Sequence, residues 1–94
     1  MTEFQVLDNR AKRRYEAIVD GEVAGYVFYQ QREDALVLIH TEVAEEFEGK
    51  GVGSRLAAGT LDEIRTRGLR IVPVCPFIKS YIERHPEYAD LVAA

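Results

Sequence analysis

A lone cysteine, Cys75, excludes an intramolecular disulfide, so no covalent staple is available to this chain. A basic excess is also missing. Twelve lysines and arginines stand against 16 aspartates and glutamates, for a formal net charge of −4. Proteins that hold nucleic acid by neutralising phosphates carry the opposite balance, so no nucleic-acid partner is expected. No stretch approaches the roughly 20 apolar residues that span a bilayer. The opening MTEFQVLDNR has no apolar run of the kind a signal peptide needs. No membrane association is therefore expected, and the expected compartment is the reducing cytoplasm. No His, Cys, Asp and Glu set has metal-ligand spacing, so no metal is expected. Repeats, low-complexity tracts and linkers are absent, and residues 1–94 are expected to form one domain.

The composition, 47% hydrophobic and 30% charged, is that of an ordinary globular chain. Its one basic cluster is Arg10, Lys12, Arg13 and Arg14 at an apparent turn. This reads as a solvated hairpin end, with a polyanion-binding patch as the minor alternative.

Residues 4–8 form a short strand candidate that stops at Asp8-Asn9, two turn formers. Residues 14–19 and 22–30 are rich in Val, Ile, Tyr and Phe and flank Asp20-Gly21, a strong hairpin signal. Residues 35–43 carry Leu36, Val37, Leu38 and Ile39 without alternation, as a central strand covered on both faces would. From residue 52 the pattern changes. Apolar residues at 52, 56, 57, 61 and 64 give helical spacing, and Gly68 stands where a helix-stopping glycine belongs. A short strand over 69–74 follows, then a helix opening at Pro76 and ending at HPEY, then one more short turn. One β-α-β crossover makes strands 35–43 and 69–74 parallel. The expectation is an α+β fold, with a mixed and mostly antiparallel sheet and two main helices.

Gly49, Gly51 and Gly53 crowd the loop between the central strand and the first helix. Glycines let backbone come close to a ligand, and a helix amino terminus offers unpaired N–H groups to an anion. Two phosphate loops can be excluded directly. The P-loop needs Lys and then Ser or Thr after its last glycine, and GKGVGSR does not supply them. The dinucleotide fingerprint needs G-x-G-x-x-G and far more chain.

The segment 48–53, EGKGVG, resembles the Gln/Arg-x-x-Gly-x-Gly/Ala pyrophosphate loop of the GNAT superfamily of N-acetyltransferases. Its first position, Glu48, is acidic where the superfamily has Gln or Arg. The resemblance extends through HTEVAEEFEGKGVGSRL and VPVCPFIKSYIERHPEYADLV to the small, truncated GNAT-like acetyltransferases of about a hundred residues, and it is strongest over residues 40–92. It implies the minimal acyl-CoA N-acyltransferase fold, with strands 35–43 and 69–74 splaying apart to admit acetyl-CoA. Pantetheine would pair with backbone near Val43. The pyrophosphate would rest on Gly49, Lys50, Gly51, Val52, Gly53 and Ser54.

Cys75 falls at a strand's carboxyl end, where ligands of open sheets gather, but a lone cysteine is often a small buried hydrophobe. With the resemblance, it acquires a role at the thioester, either accepting the acetyl group or assisting proton transfer. His40 interrupts an apolar strand. It is either a core histidine or a general base, since imidazole suits proton transfer near neutral pH. Alternation puts residues 40 and 42 on one face. Tyr81, spaced with Ile78 and Ile82, reads as core, and His85 as a helix-end residue.

The leading expectation is thus an acetyl-CoA-dependent N-acetyltransferase acting on an unidentified amine, small or on a protein, as a monomer or weak homodimer. The alternatives are a non-catalytic CoA or acyl-CoA binding or sensing module and a plain structural domain.

Overall fold

Asp20 and Gly21 both take positive φ, 48° and 85°, which is the turn that closes a tight hairpin with the right strand twist. In the computed structural model, which describes residues 3–93, that turn joins β2 (Arg14–Val19) to β3 (Glu22–Arg32). β1 (Phe4–Asn9) precedes them and β4 (Ala35–Val43) follows, each antiparallel to its neighbour. The helix α1 (Val52–Thr66) then crosses over to β5 (Arg70–Pro73), which lies parallel to β4. The sheet order is β1-β2-β3-β4-β5, as the expected meander plus one crossover requires. A second helix, α2 (Pro76–Arg84), and a 3-10 turn over Pro86–Leu91 complete the chain. Beyond it, Val92 bridges to Ile71 and the Ala93 N–H donates to the Ile71 carbonyl at 2.8 Å. This tail covers the outer edge of β5, which would otherwise present unpaired backbone.

Both helices lie on one face of the sheet. Val52, Leu56, Ala57, Leu61 and Ile64 of α1, the residues picked out by helical spacing, are all buried. They meet Tyr15, Ala17 and Val27 from β2 and β3, Leu36 and Leu38 from β4, and Ile78, Tyr81 and Ile82 from α2 in one core. No helix covers the other face among the described residues.

β4 departs from the sequence expectation at one residue. Leu36, Val37 and Leu38 are buried as anticipated, but Ile39 is 39% exposed. The register explains it. Leu38 pairs with Tyr29 and His40 with Phe28, so Ile39 is an extra residue with no cross-strand partner. A bulge of this kind bends and twists its strand.

Candidate functional site

The bulge coincides with the point where β4 and β5 part. Their parallel pairing runs from Ala35–Arg70 to Leu38–Pro73 and stops. The N–H groups of Val74 and Cys75 both turn back onto the Leu38 carbonyl, at 3.0 and 2.9 Å. From His40 to Val43, β4 pairs with β3 on one side only, and its other edge has no strand partner from Ile39 onward among the described residues. β5 ends at Pro73 while β4 runs on to Val43, which leaves an open β4 edge where the resemblance implies that the strands splay.

The glycine loop lies directly beyond that edge. A 3-10 turn over Glu45–Phe47 leads into Gly49 and Gly51, whose φ values are 78° and 75°. These left-handed conformations are the ones L side chains rarely adopt, and a Cβ at either position would meet nothing within 4 Å. Gly51 caps α1 without any side-chain hydrogen bond, and the first turn of α1 holds no acidic residue. Its leading N–H groups are thus offered to whatever lies in front of them.

Gly53 has a different task. A Cβ there would sit 3.0 Å from the Phe77 ring of α2, so this glycine lets the two helices meet at their amino ends. Of the remaining loop residues, Lys50 and Ser54 are exposed, while Val52 turns its side chain into the core.

Cys75 is the amino-terminal cap residue of α2, followed by Pro76 at a position where a missing N–H costs nothing. The contact between Gly53 and Phe77 therefore brings Cys75 to the same end of the molecule as the glycine loop. The thiol is 2% exposed, and its Sγ lies 3.2 Å from Thr41 Oγ1.

His40 stands on the other side of the strand. Thr41 faces the helices and Cys75, so residues 40 and 42 face away from them by simple alternation. The two predicted chemical residues are thus not brought into contact. Strand β4 stands between them, with Cys75 on the helical side and His40 on the open side. His40 Nε2 lies 3.4 Å from Glu42 Oε1, and both side chains are more than half exposed. Glu42 Oε2 also accepts from the Tyr26 hydroxyl. These bonds, Tyr26 first and His40 second, hold the Glu42 carboxyl below the usual carboxylate range.

Thr41, Glu42 and Tyr26 were not singled out by sequence. The face shared by residues 40 and 42 was a partial signal for Glu42. Nothing local could identify Tyr26, which arrives by cross-strand register. Tyr81 is core as expected and stacks on His85 with ring centroids 4.1 Å apart.

The family described as GCN5-related N-acetyl-transferase matches residues 14–91. The chain is 25% identical over 85 residues to Protein NATD1 of Xenopus tropicalis, covering 88% of this chain and 78% of that one. It is 27% identical over 85 residues to Protein NATD1 of Gallus gallus, covering 88% and 77%. Among solved structures, a GCN5-like protein from Staphylococcus aureus, determined in solution by NMR, superposes with a TM-score of 0.72. That superposition is at 21% identity and covers 100% of this chain and 92% of the other. The family match spans most of the sequence, and the chain belongs to the GCN5-related N-acetyltransferase family.

Proposed function

We propose that this protein is an N-acetyltransferase that moves an acetyl group from acetyl-CoA to an amine. The observation that carries the reading is the open edge of β4 beyond the end of β5. An unpaired β4 edge over residues 39–43, the uncapped amino end of α1 and the amino end of α2 converge at one end of the sheet. Such a convergence suits a ligand with an anionic head and an amide-bearing arm. The backbone of Gly49, Lys50, Gly51, Val52, Gly53 and Ser54 would hold the pyrophosphate, and the free edge near Val43 would pair with the pantetheine amides. Acetyl-CoA supplies the electrophile, the carbonyl carbon of its thioester.

The chain's own groups divide the remaining work across the strand. His40, on the open face, takes the proton that an acceptor ammonium must lose before its nitrogen can attack. Cys75, on the helical face, gives a proton to the departing sulfur. Thr41, at 3.2 Å, orients that thiol. Cys75 sits at a helix amino terminus, but the base His40 lies beyond the strand from it and cannot take the thiol proton directly. This separation favours direct attack by the amine over an acetyl-cysteine intermediate.

Native mass spectrometry with CoA and acetyl-CoA tests cofactor binding, and thiol release with a panel of primary amines tests turnover. Cys75→Ala and His40→Gln are each expected to lose turnover about 100-fold or more while CoA binding persists. Binding without turnover by any amine would instead support a sensing module, and no binding would sink the proposal. An acetyl group found on Cys75 by rapid-quench intact mass would replace direct attack with the covalent route.

A further inference from the structure

The sheet face that no helix covers carries an ordered row of polar and aromatic side chains. By register, Glu16, Tyr26 and Glu42 stand in line across β2, β3 and β4, and Arg14, Phe28 and His40 form the next line. Arg14 Nε is 2.6 Å from Glu16 Oε2, which also accepts from Asn9 Nδ2 at 3.1 Å. Those two charges cancel. The pairing of β5 with β4 has already ended at Pro73, so no β5 residue stands opposite His40. α1 and α2 lie behind the sheet. Glu42 is then the one net charge immediately beside His40 on this face among the described residues.

Glu42 is also held in place. Tyr26 donates its hydroxyl to one carboxylate oxygen, and the other lies 3.4 Å from His40 Nε2. Tyr26 is fixed in turn by the Arg14 guanidinium 4.3 Å above its ring and by an edge contact with Phe28 at 5.1 Å between centroids. A free surface ion pair contributes little because both partners must be ordered to form it. Here the scaffold orders the carboxylate in advance.

We propose that Glu42, anchored by Tyr26, is a positioning residue for His40. The carboxylate receives the Nε2 hydrogen of the imidazole and leaves Nδ1 as the nitrogen that takes the acceptor's proton. A neutral imidazole has one N–H and one lone pair, and the partner of the N–H decides which nitrogen is basic. The inference rests on the proposed role of His40 as base. It adds which nitrogen acts and what selects it. The carboxylate also stabilises the imidazolium formed when the proton arrives.

The test follows the two histidine rings by NMR across pH in the full chain, with His85 as internal reference. In Glu42→Gln the nitrogen shifts of the neutral His40 ring are expected to change from those of a single tautomer to those of a mixture. Tyr26→Phe should move them part of the way, and the His85 ring should not change. With an active acceptor, Glu42→Gln should lower kcat while leaving KM for acetyl-CoA unchanged, and Tyr26→Phe should lower it less. A His40 ring that keeps its tautomer in Glu42→Gln overturns the pairing, whatever the rates. If the tautomer changes but His40→Gln transfers acetyl at the wild-type rate, the pairing stands and the role of His40 as base falls.

Discussion

Thr60 is fully buried in α1, and its hydroxyl has no hydrogen-bond partner among the described residues. Helical threonines have a local remedy, which is to donate to the carbonyl one turn back. Thr66 does so, reaching the Asp62 carbonyl at 3.0 Å, and Thr60 does not. A buried polar group left unpaired costs about 1–3 kcal/mol, whereas replacing it with an apolar group of the same shape removes that cost. Valine has nearly the same shape and nearly the same helix propensity. Thr60→Val is therefore expected to stabilise the fold by about 1 kcal/mol, read as a higher urea midpoint with an unchanged slope. Thr60→Ser keeps the hydroxyl and loses a methyl, so it should destabilise instead. If Thr60→Val proves destabilising, the hydroxyl has a partner that static geometry does not reveal.

At the scale of elements, α1 approaches β1 closely at Gly59. A Cβ on Gly59 would lie 2.5 Å from Val6 Cγ2 and 2.9 Å from its Cβ. A branched valine on a strand has no other rotamer region to retreat into cheaply. Gly59→Ala is thus expected to cost about 1–3 kcal/mol, although alanine is the better helix former. Val6→Ala in the same chain should return part of that loss in a double-mutant cycle monitored by chemical denaturation, because it removes Cγ2 but keeps the Cβ. This contact also marks the limit of what the sequence could reveal. The spacing of Val52, Leu56, Ala57, Leu61 and Ile64 announces which side of α1 is buried, because the helical period is local. It does not announce that Gly59 lies against Val6, which depends on how far the helix sinks onto the sheet. β4 behaves in the same way. Its bounds, 35–43, follow from the apolar run, but the bulge at Ile39 is a register event between two strands. The candidate site inherits that division. Gly49, Gly51, His40 and Cys75 stand out in the sequence because each breaks a local pattern. Thr41 and Tyr26 become visible only after the strands pair.

Across the whole molecule, titration is set by how the elements close on one another. On the acid side, Arg65 of α1 holds Asp90 of the terminal 3-10 turn, with Nη1 to Oδ2 at 2.9 Å. That bond keeps the Asp90 carboxyl below its ordinary value. Its stabilisation is present above about pH 4 and is lost as pH falls through the folded value. Both groups are exposed, so Asp90→Asn should blunt only slightly the loss of Tm in acid. The alkaline side should be far steeper, because all five tyrosines point the same way. Burial raises Tyr15, assisted by its bond to Glu63, and pushes Tyr29 up to about 12 and Tyr88 to about 12. Burial also raises Tyr81, while the hydrogen bond to Glu42 raises Tyr26. An unfolded chain releases these protons near pH 10, before the folded one does. Each tyrosine therefore gives full stabilisation below that pH and withdraws it as pH rises toward the folded value. Tm is expected to fall by roughly 5 °C or more between about pH 9 and pH 12, followed by circular dichroism. Absorbance at 295 nm should show tyrosinate appearing together with unfolding and not ahead of it. Tyr15 joins Glu63, Arg67 and, through Arg67, Asp8 at the meeting of α1 with β1 and β2. Tyr15→Phe removes one titrating proton and should flatten the alkaline limb, while also lowering Tm at neutral pH by leaving the Glu63 carboxylate without its donor. Tyr26→Phe, with its ring at the exposed face, should flatten the limb less and leave neutral Tm nearly unchanged. If the two variants behave alike, burial at the α1–sheet contact is not the source of the alkaline lability.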